Sequence, residues 1–295
     1  MAPSFARSIS FPLSPSRSSS KPARMAAHAR SVSLPCRSHP ILAHLHAHIR
    51  AVRAWAQDHH PAAASSSVAA GLAHVDALHA ALGDLLDLPE AQAALTSSSS
   101  SGTSSSGERL LDAFLRLADA HGSFQEAVVE LKRDVAEALA AIRRRDGARL
   151  ASALRAQRRA GKEVARLAAA ACRDGGRPSR LGLGNGNSTA ADVEVAGLLA
   201  EAAAATASAS AALFSTVAAM SASASAAACS CKRTAALVCL TKKASSGEEK
   251  ETLALTERLE ELEECIDELE SGSDKVFRSL VQTRVALLNI HTHIF

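Results

Sequence analysis

EEKETLALTERLEELEECIDELESGSDKVFRSLVQTRVALLNIHTHIF, residues 248–295, is the stretch that decides the fold. Leu255, Leu259, Leu262, Ile266, Leu269, Val276, Leu280, Leu287, Ile290 and Ile294 fall on one ladder of alternating threes and fours. On an α-helix, residues so spaced line up along one side and draw a single apolar seam. Ser273 and Thr283 interrupt the seam, and Gly272 marks an expected bend. A rod of roughly 60 Å, at 1.5 Å per residue, cannot shelter such a seam alone. The earlier segments are therefore read as its helical partners. The predicted fold class is all-α: an elongated antiparallel bundle of long amphipathic helices behind a disordered N-terminal tail.

Composition points the same way. The chain of 295 residues is rich in alanine, has no Tyr and a single Trp. Alanine loses no side-chain entropy in a helix, so this profile favours helix over sheet. The formal charge of +3 gives no global field that would draw nucleic acid. The six cysteines, Cys36, Cys172, Cys229, Cys231, Cys239 and Cys265, follow no disulfide framework, which suits a reduced intracellular compartment, cytoplasmic first.

Residues 1–38 are rich in Ser, Pro and Arg, and no Asp or Glu occurs before Asp58. Such a segment is a flexible basic tail by composition; the alternative is a plastid or mitochondrial import signal. Residues 39–295 form the expected helical domain, with flexible linkers at about 96–107 and 174–188. His39 to Gln57 carries Ile41, Leu45, Ile49, Val52 and Trp55 at helical spacing, with Pro40 suited to a first turn. Val68 to Leu88 has a stripe of Leu72, Val75, Leu78, Leu82, Leu85 and Leu86, ended or restarted by Pro89. Ala91 to Leu95 adds a further turn. Glu108 to Arg145 has a seam running Leu111, Leu115, Ala118, then Phe124, Ala127, Val128, Leu131, Val135, Leu139 and Ile142, with a bend or break expected at Gly122. Asp146-Gly147 signals a turn, and Arg149 to Cys172 resumes as helix. Residues 202–231 carry no charge and are long enough to span a membrane. Their alanines and serines insert poorly, however, so a buried or half-buried soluble helix is expected.

Sites are scarce. His44, His46 and His48 are spaced by two, which directs neighbours around a helix and reads as solvent-facing residues, not a metal cluster. Gly182 to Gly186 (GLGNG) follows no strand and ends in no Gly-Lys-Ser/Thr, so it reads as a connector. Cys229-x-Cys231 lacks the second pair that a zinc site needs. No catalytic residue, cofactor, metal or small-molecule substrate is assigned, and no enzyme is expected. The marked feature is charge. Arg143, Arg144, Arg145, Arg149, Arg155, Arg158, Arg159, Lys162 and Arg166 meet only Asp146 and Glu163, whereas the last helix opens with an acidic run from Glu248 to Glu270. These two stretches are expected to face each other in the folded chain or to attract across an oligomer. The basic helix has no interleaved aromatics, so no nucleic acid is expected.

Four segments resemble the plant BYPASS1-related family: RSVSLPCRSHP (Arg30 to Pro40), DLLDLP (Asp84 to Pro89), IRRRDG (Ile142 to Gly147) and LEELEECIDELESGSDKVFRSLVQTRVALLNIHTH (Leu259 to His293). The resemblance implies a plant-specific protein acting in root and shoot development, with no catalytic residues to carry over. From the residues themselves, the leading expectation is a non-enzymatic interaction protein. It would bind a protein partner, or itself, through Leu255, Leu259, Leu262, Ile266 and Leu269, with Arg158 and Arg159 as charged contacts. The alternative is a peripheral binder of anionic membrane, using the basic tail and the Arg143–Arg166 surface.

Overall fold

The computed structural model describes residues 40–58, 65–97, 106–175, 190–238 and 246–292. Among them lie α1 (Pro40–Asp58), α2 (Ser65–Leu86), α3 (Pro89–Ser97), α4 (Ser106–Arg144), α5 (Gly147–Gly175), α6 (Ala190–Val238) and α7 (Ser246–Thr292). No strand occurs among the described residues. The tail 1–38, the glycine run Gly182 to Gly186 and the interiors of both expected linkers lie outside them.

Local chemistry sets the joints. Pro89, which cannot donate a backbone bond, opens α3, and Gln92 Nε2 donates to Leu86 O, capping the end of α2. Between α4 and α5, Asp146 N bonds Ala141 O at 3.0 Å and Arg145 N bonds Ile142 O at 3.0 Å, the paired bonds of a Schellman stop. Arg145 occupies the left-handed position there, at φ 54°, where glycine is usual. Asp146 then accepts the amides of Ala148 (3.1 Å) and Arg149 (3.0 Å) on its carboxylate and so caps α5. The two long helices become an antiparallel hairpin.

The seam of α7 is interior. Leu255, Leu259, Leu262, Ile266, Leu269, Val276, Leu280 and Leu287 are each at most 1 % exposed, packed by α2, α4 and α6. Burying a leucine of this kind is worth about 1.5–3 kcal/mol. Helix α7 continues through Gly272, where a bend was expected. A Cβ there would lie 2.5 Å from Leu72 Cδ1, so the glycine lets α2 close onto α7. Helix α4 likewise continues through Gly122, and this corrects the early part of its seam. An unbroken helix must keep the phase set by Phe124 and Leu131, so Leu110, Phe114 and Leu117 are buried, whereas Leu111 and Leu115 are only half-buried.

Helix α6 occupies the middle, packing against all six of the others. Its Val193–Cys229 stretch would suffice for a membrane span by length and composition, but in this bundle alanines on several of its faces are buried. Small side chains let neighbouring backbones approach from every side. The larger members Leu213, Phe214 and Val217 are buried, and Phe214 stacks on Phe124 of α4 with centroids 4.0 Å apart.

Candidate functional site

Four polar features stand out against this apolar frame: a buried layer, a contact between α5 and α6, a charged exterior and a histidine pair on α1.

The layer crosses the middle of the bundle. His79 of α2 lies between Thr283 of α7 (Nδ1···Oγ1 3.3 Å) and Thr206 of α6 (Nε2···Oγ1 3.3 Å). Thr206 donates to Ala202 O and Thr283 to Ser279 O, each at 2.9 Å. A neutral imidazole has one N–H, so it donates to one threonine. The other threonine must turn its proton away from the helix carbonyl to serve the bare ring nitrogen. Next to it, His121 of α4 meets Ser210 Oγ at 2.8 Å, and Ser210 donates to Thr206 O at 2.8 Å. With Ser210 donating to that carbonyl, the His121 proton is assigned to Nε2; Nδ1 has no hydrogen-bond partner among the described residues. Burial pushes His79 down to about 4; burial, aided by the charge of His79, pushes His121 down to about 3. Both are neutral near pH 7. Thr283, an interruption in the α7 seam, is thus the residue that ties α7 to α2. The layer is chemically suited to align four helices, because its bonds form in one register only.

A second polar contact joins α5 to α6. Gln157 donates to Ser221 O (2.9 Å) and Oγ (2.8 Å), and Ser225 donates back to Gln157 Oε1 at 3.0 Å. Gly161 faces Ser221 so closely that any Cβ would collide with its hydroxyl.

Outside, all nine basic residues from Arg143 to Arg166 are exposed. Arg155, Arg159, Lys162 and Arg166 recur at helical spacing along α5, a helix whose opposite side is buried. Arg149 pairs with Asp146, and Arg166 with Glu163. Among the described residues the acidic run of α7 is not their partner: α5 packs on α4 and α6, while α7 packs on α2, α3, α4 and α6. The expected intrachain pairing is corrected accordingly. Across helices, Lys132 of α4 meets the acidic run, bonding Asp267 at 3.0 Å and Glu270 at 2.6 Å, and these bonds hold its charge. Nothing in the sequence marks Lys132, because its role depends on how α4 and α7 are aligned. Arg158 bends onto α6, donating to Ser225 O at 3.4 Å and Cys229 Sγ at 2.9 Å, whereas Arg159 extends into solvent. The seam residues proposed as contacts, Leu255, Leu259, Leu262, Ile266 and Leu269, are core. A groove of about 550 Å³ lies between α4 and α7, floored by Phe124 and Leu269. On its rim Asp267 and Glu270 are met by Lys132 and Asp274 by Arg278.

On α1, His44 Nε2 and His48 Nε2 approach to 3.1 Å, with rings edge to face at 81°. Sequence reasoning took the three histidines at spacings of two. The pair that meets is His44 and His48, four apart on one face, and that spacing was the available signal. His48 is held below the ordinary histidine value by burial and by the nearby His44 and His74. No group of three or more His, Cys, Asp or Glu gathers as a metal set among the described residues.

No curated protein sequence and no solved structure matches this chain. A family model described as Protein BPS1 matches residues 71–290, from α2 through nearly all of α7, including every helix of the polar layer. That span is well over half of the chain, and it carries the DLLDLP and IRRRDG segments and the C-terminal segment up to Ile290; the chain belongs to the Protein BPS1 family.

Proposed function

We propose that this chain is a non-enzymatic helical interaction protein of a plant developmental pathway, acting in root and shoot development, and that it binds an acidic protein surface through the arginine face of α5. The observation that carries this reading is the exposure of all nine cations between Arg143 and Arg166 beside only two acids. A surface so one-sided repels itself in the free protein and attracts an acidic counterpart. The left-handed Arg145 supports it: a side chain held where glycine costs less is a feature that function tends to retain. Because the leucine seam of α7 is spent on the core, contact with a partner falls to the outer helix faces. The α7 of a second copy is one acidic surface of the right kind, since Glu257, Glu260, Glu261, Glu264 and Glu268 are all exposed. The setting is intracellular.

Sedimentation velocity at low and high salt, combined with pull-down from plant extract, tests the reading with Arg155→Glu/Arg159→Glu. The variant should lose salt-sensitive complexes while keeping the far-ultraviolet spectrum of the parent. Complexes that are unchanged by the double reversal would sink it.

A second reading, peripheral binding to anionic membrane, is favoured by the clustering of Arg143, Arg144 and Arg145 at the hairpin tip beside the α5 cations. Co-sedimentation with phosphatidylserine vesicles but not phosphatidylcholine vesicles, abolished by salt, would select it over the protein partner.

A further inference from the structure

We propose that His44 and His48, exposed and half-buried respectively, form a bidentate clip on α1 for a divalent transition-metal ion, zinc, copper or nickel. The two residues are four apart, so the helix itself presents both rings from successive turns on one side. Their Nε2 atoms are 3.1 Å apart. Two imidazole nitrogens bound to one zinc at about 2.0–2.1 Å, subtending roughly 90–110°, are roughly 2.9–3.4 Å from each other. The pair therefore already has the separation that chelation needs. His46, between them in sequence, is exposed on another face and cannot join.

In the metal-free state the close approach is an N–H···N bond, in which one Nε2 carries the proton and the other accepts it. For metal to enter, the protonated ring moves its proton from Nε2 to Nδ1, so that both Nε2 lone pairs face the ion. This is a change of tautomer, in which the proton stays on the same ring. Imidazole suits zinc, copper and nickel rather than magnesium or calcium. With no further His, Cys, Asp or Glu closing the set among the described residues, water completes the coordination sphere. The site is thus open and exchangeable. Helix formation is what unites the two ligands, so bound metal stabilises the folded state by mass action.

The test uses the full-length, metal-stripped chain and Zn²⁺. Titration is followed by calorimetry and by imidazole nitrogen resonances, and Tm is measured with and without the ion. His44→Ala and His48→Ala should each weaken binding by at least about tenfold, since loss of even an outer-shell support costs about 10–100-fold. They should also abolish the Zn²⁺-dependent rise in Tm. His46→Ala removes an imidazole from the same helix and should leave affinity within about twofold, because it supplies no ligand. Far-ultraviolet circular dichroism verifies that each variant is folded. The proposal is overturned if His44→Ala binds Zn²⁺ as the parent does. It is equally overturned if His46→Ala is impaired as much as His44→Ala, which would mean that scattered surface imidazoles hold the ion.

Discussion

Helices α6 and α7 are nearly the same length, 49 and 47 residues, and both lie in the core, yet they are buried by opposite means. Helix α7 has one apolar side and one acidic side: it inserts leucines and isoleucines between α2, α4 and α6 and keeps its glutamates in water. Helix α6 has no such sides. Ala202, Ala203, Ala205 and Ala211 are buried around its circumference, and every other helix packs on it. Large residues at regular spacing make a helix one-sided, whereas small ones make it approachable from all directions. The first kind contributes transfer energy; the second permits short distances between backbones.

The difference can be broken at several points. The largest effect is expected on α7. Leu262→Ala leaves a cavity beneath a fully buried position and should cost about 2–5 kcal/mol, read as a lower urea midpoint at constant slope. A loss well under this would mean that the seam is loosely filled.

The two helices meet in the polar layer, and acid should separate them. His79 and His121 are held at about 4 and about 3 in the folded chain, against an ordinary value of 6.5. Folded values lie below unfolded ones, so the unfolded chain takes up more protons. Stability is complete above pH 6.5 and is lost as pH falls toward 4 and then 3. Between about pH 7.5 and 5.5 the loss from both groups should be about 2–3 kcal/mol. Urea midpoints across that range measure it. A double variant, His79→Gln/His121→Gln, should flatten the slope; an unaltered slope would place the titrating groups elsewhere.

On α6 the sensitive direction is reversed. Ala209→Leu, at a fully buried position, should cost about 1–3 kcal/mol by overpacking, although leucine is a good helix former. If the variant is as stable as the parent, the close approach around α6 is not real. The smallest effect lies away from both helices. A methyl group on Gly83 of α2 would meet nothing within 4 Å, so Gly83→Ala should stabilise by roughly 0.5–1 kcal/mol, visible as a small rise in Tm.

These contrasts track what could be read before the fold was known. The α7 seam was legible because Leu255, Leu259, Leu262, Ile266 and Leu269 repeat at the helical period. The centrality of α6 was not legible, since alanine and serine have too little contrast to reveal a face. Ser273 and Thr283 read as faults in the ladder, yet both are buried and Thr283 bonds His79 from a helix some two hundred residues earlier. Gly272 and Gly122 read as bends; at the first, a leucine of α2 occupies the space that a side chain would fill. At the charged exterior the sequence disclosed both partners but not their separation, because Lys132 and the α5 arginines carry the same sign and only packing distinguishes them.

Period, charge and turn chemistry are properties of neighbours along the chain, so the sequence alone determined that this protein is helical, where α4 stops and α5 starts, and which sides are basic or acidic. Which helix lies at the centre, which hydroxyl answers His79 and which acid meets Lys132 depend on distances between residues remote in sequence. Those distances are set only when all the seams are buried together, and there tertiary structure made the choice.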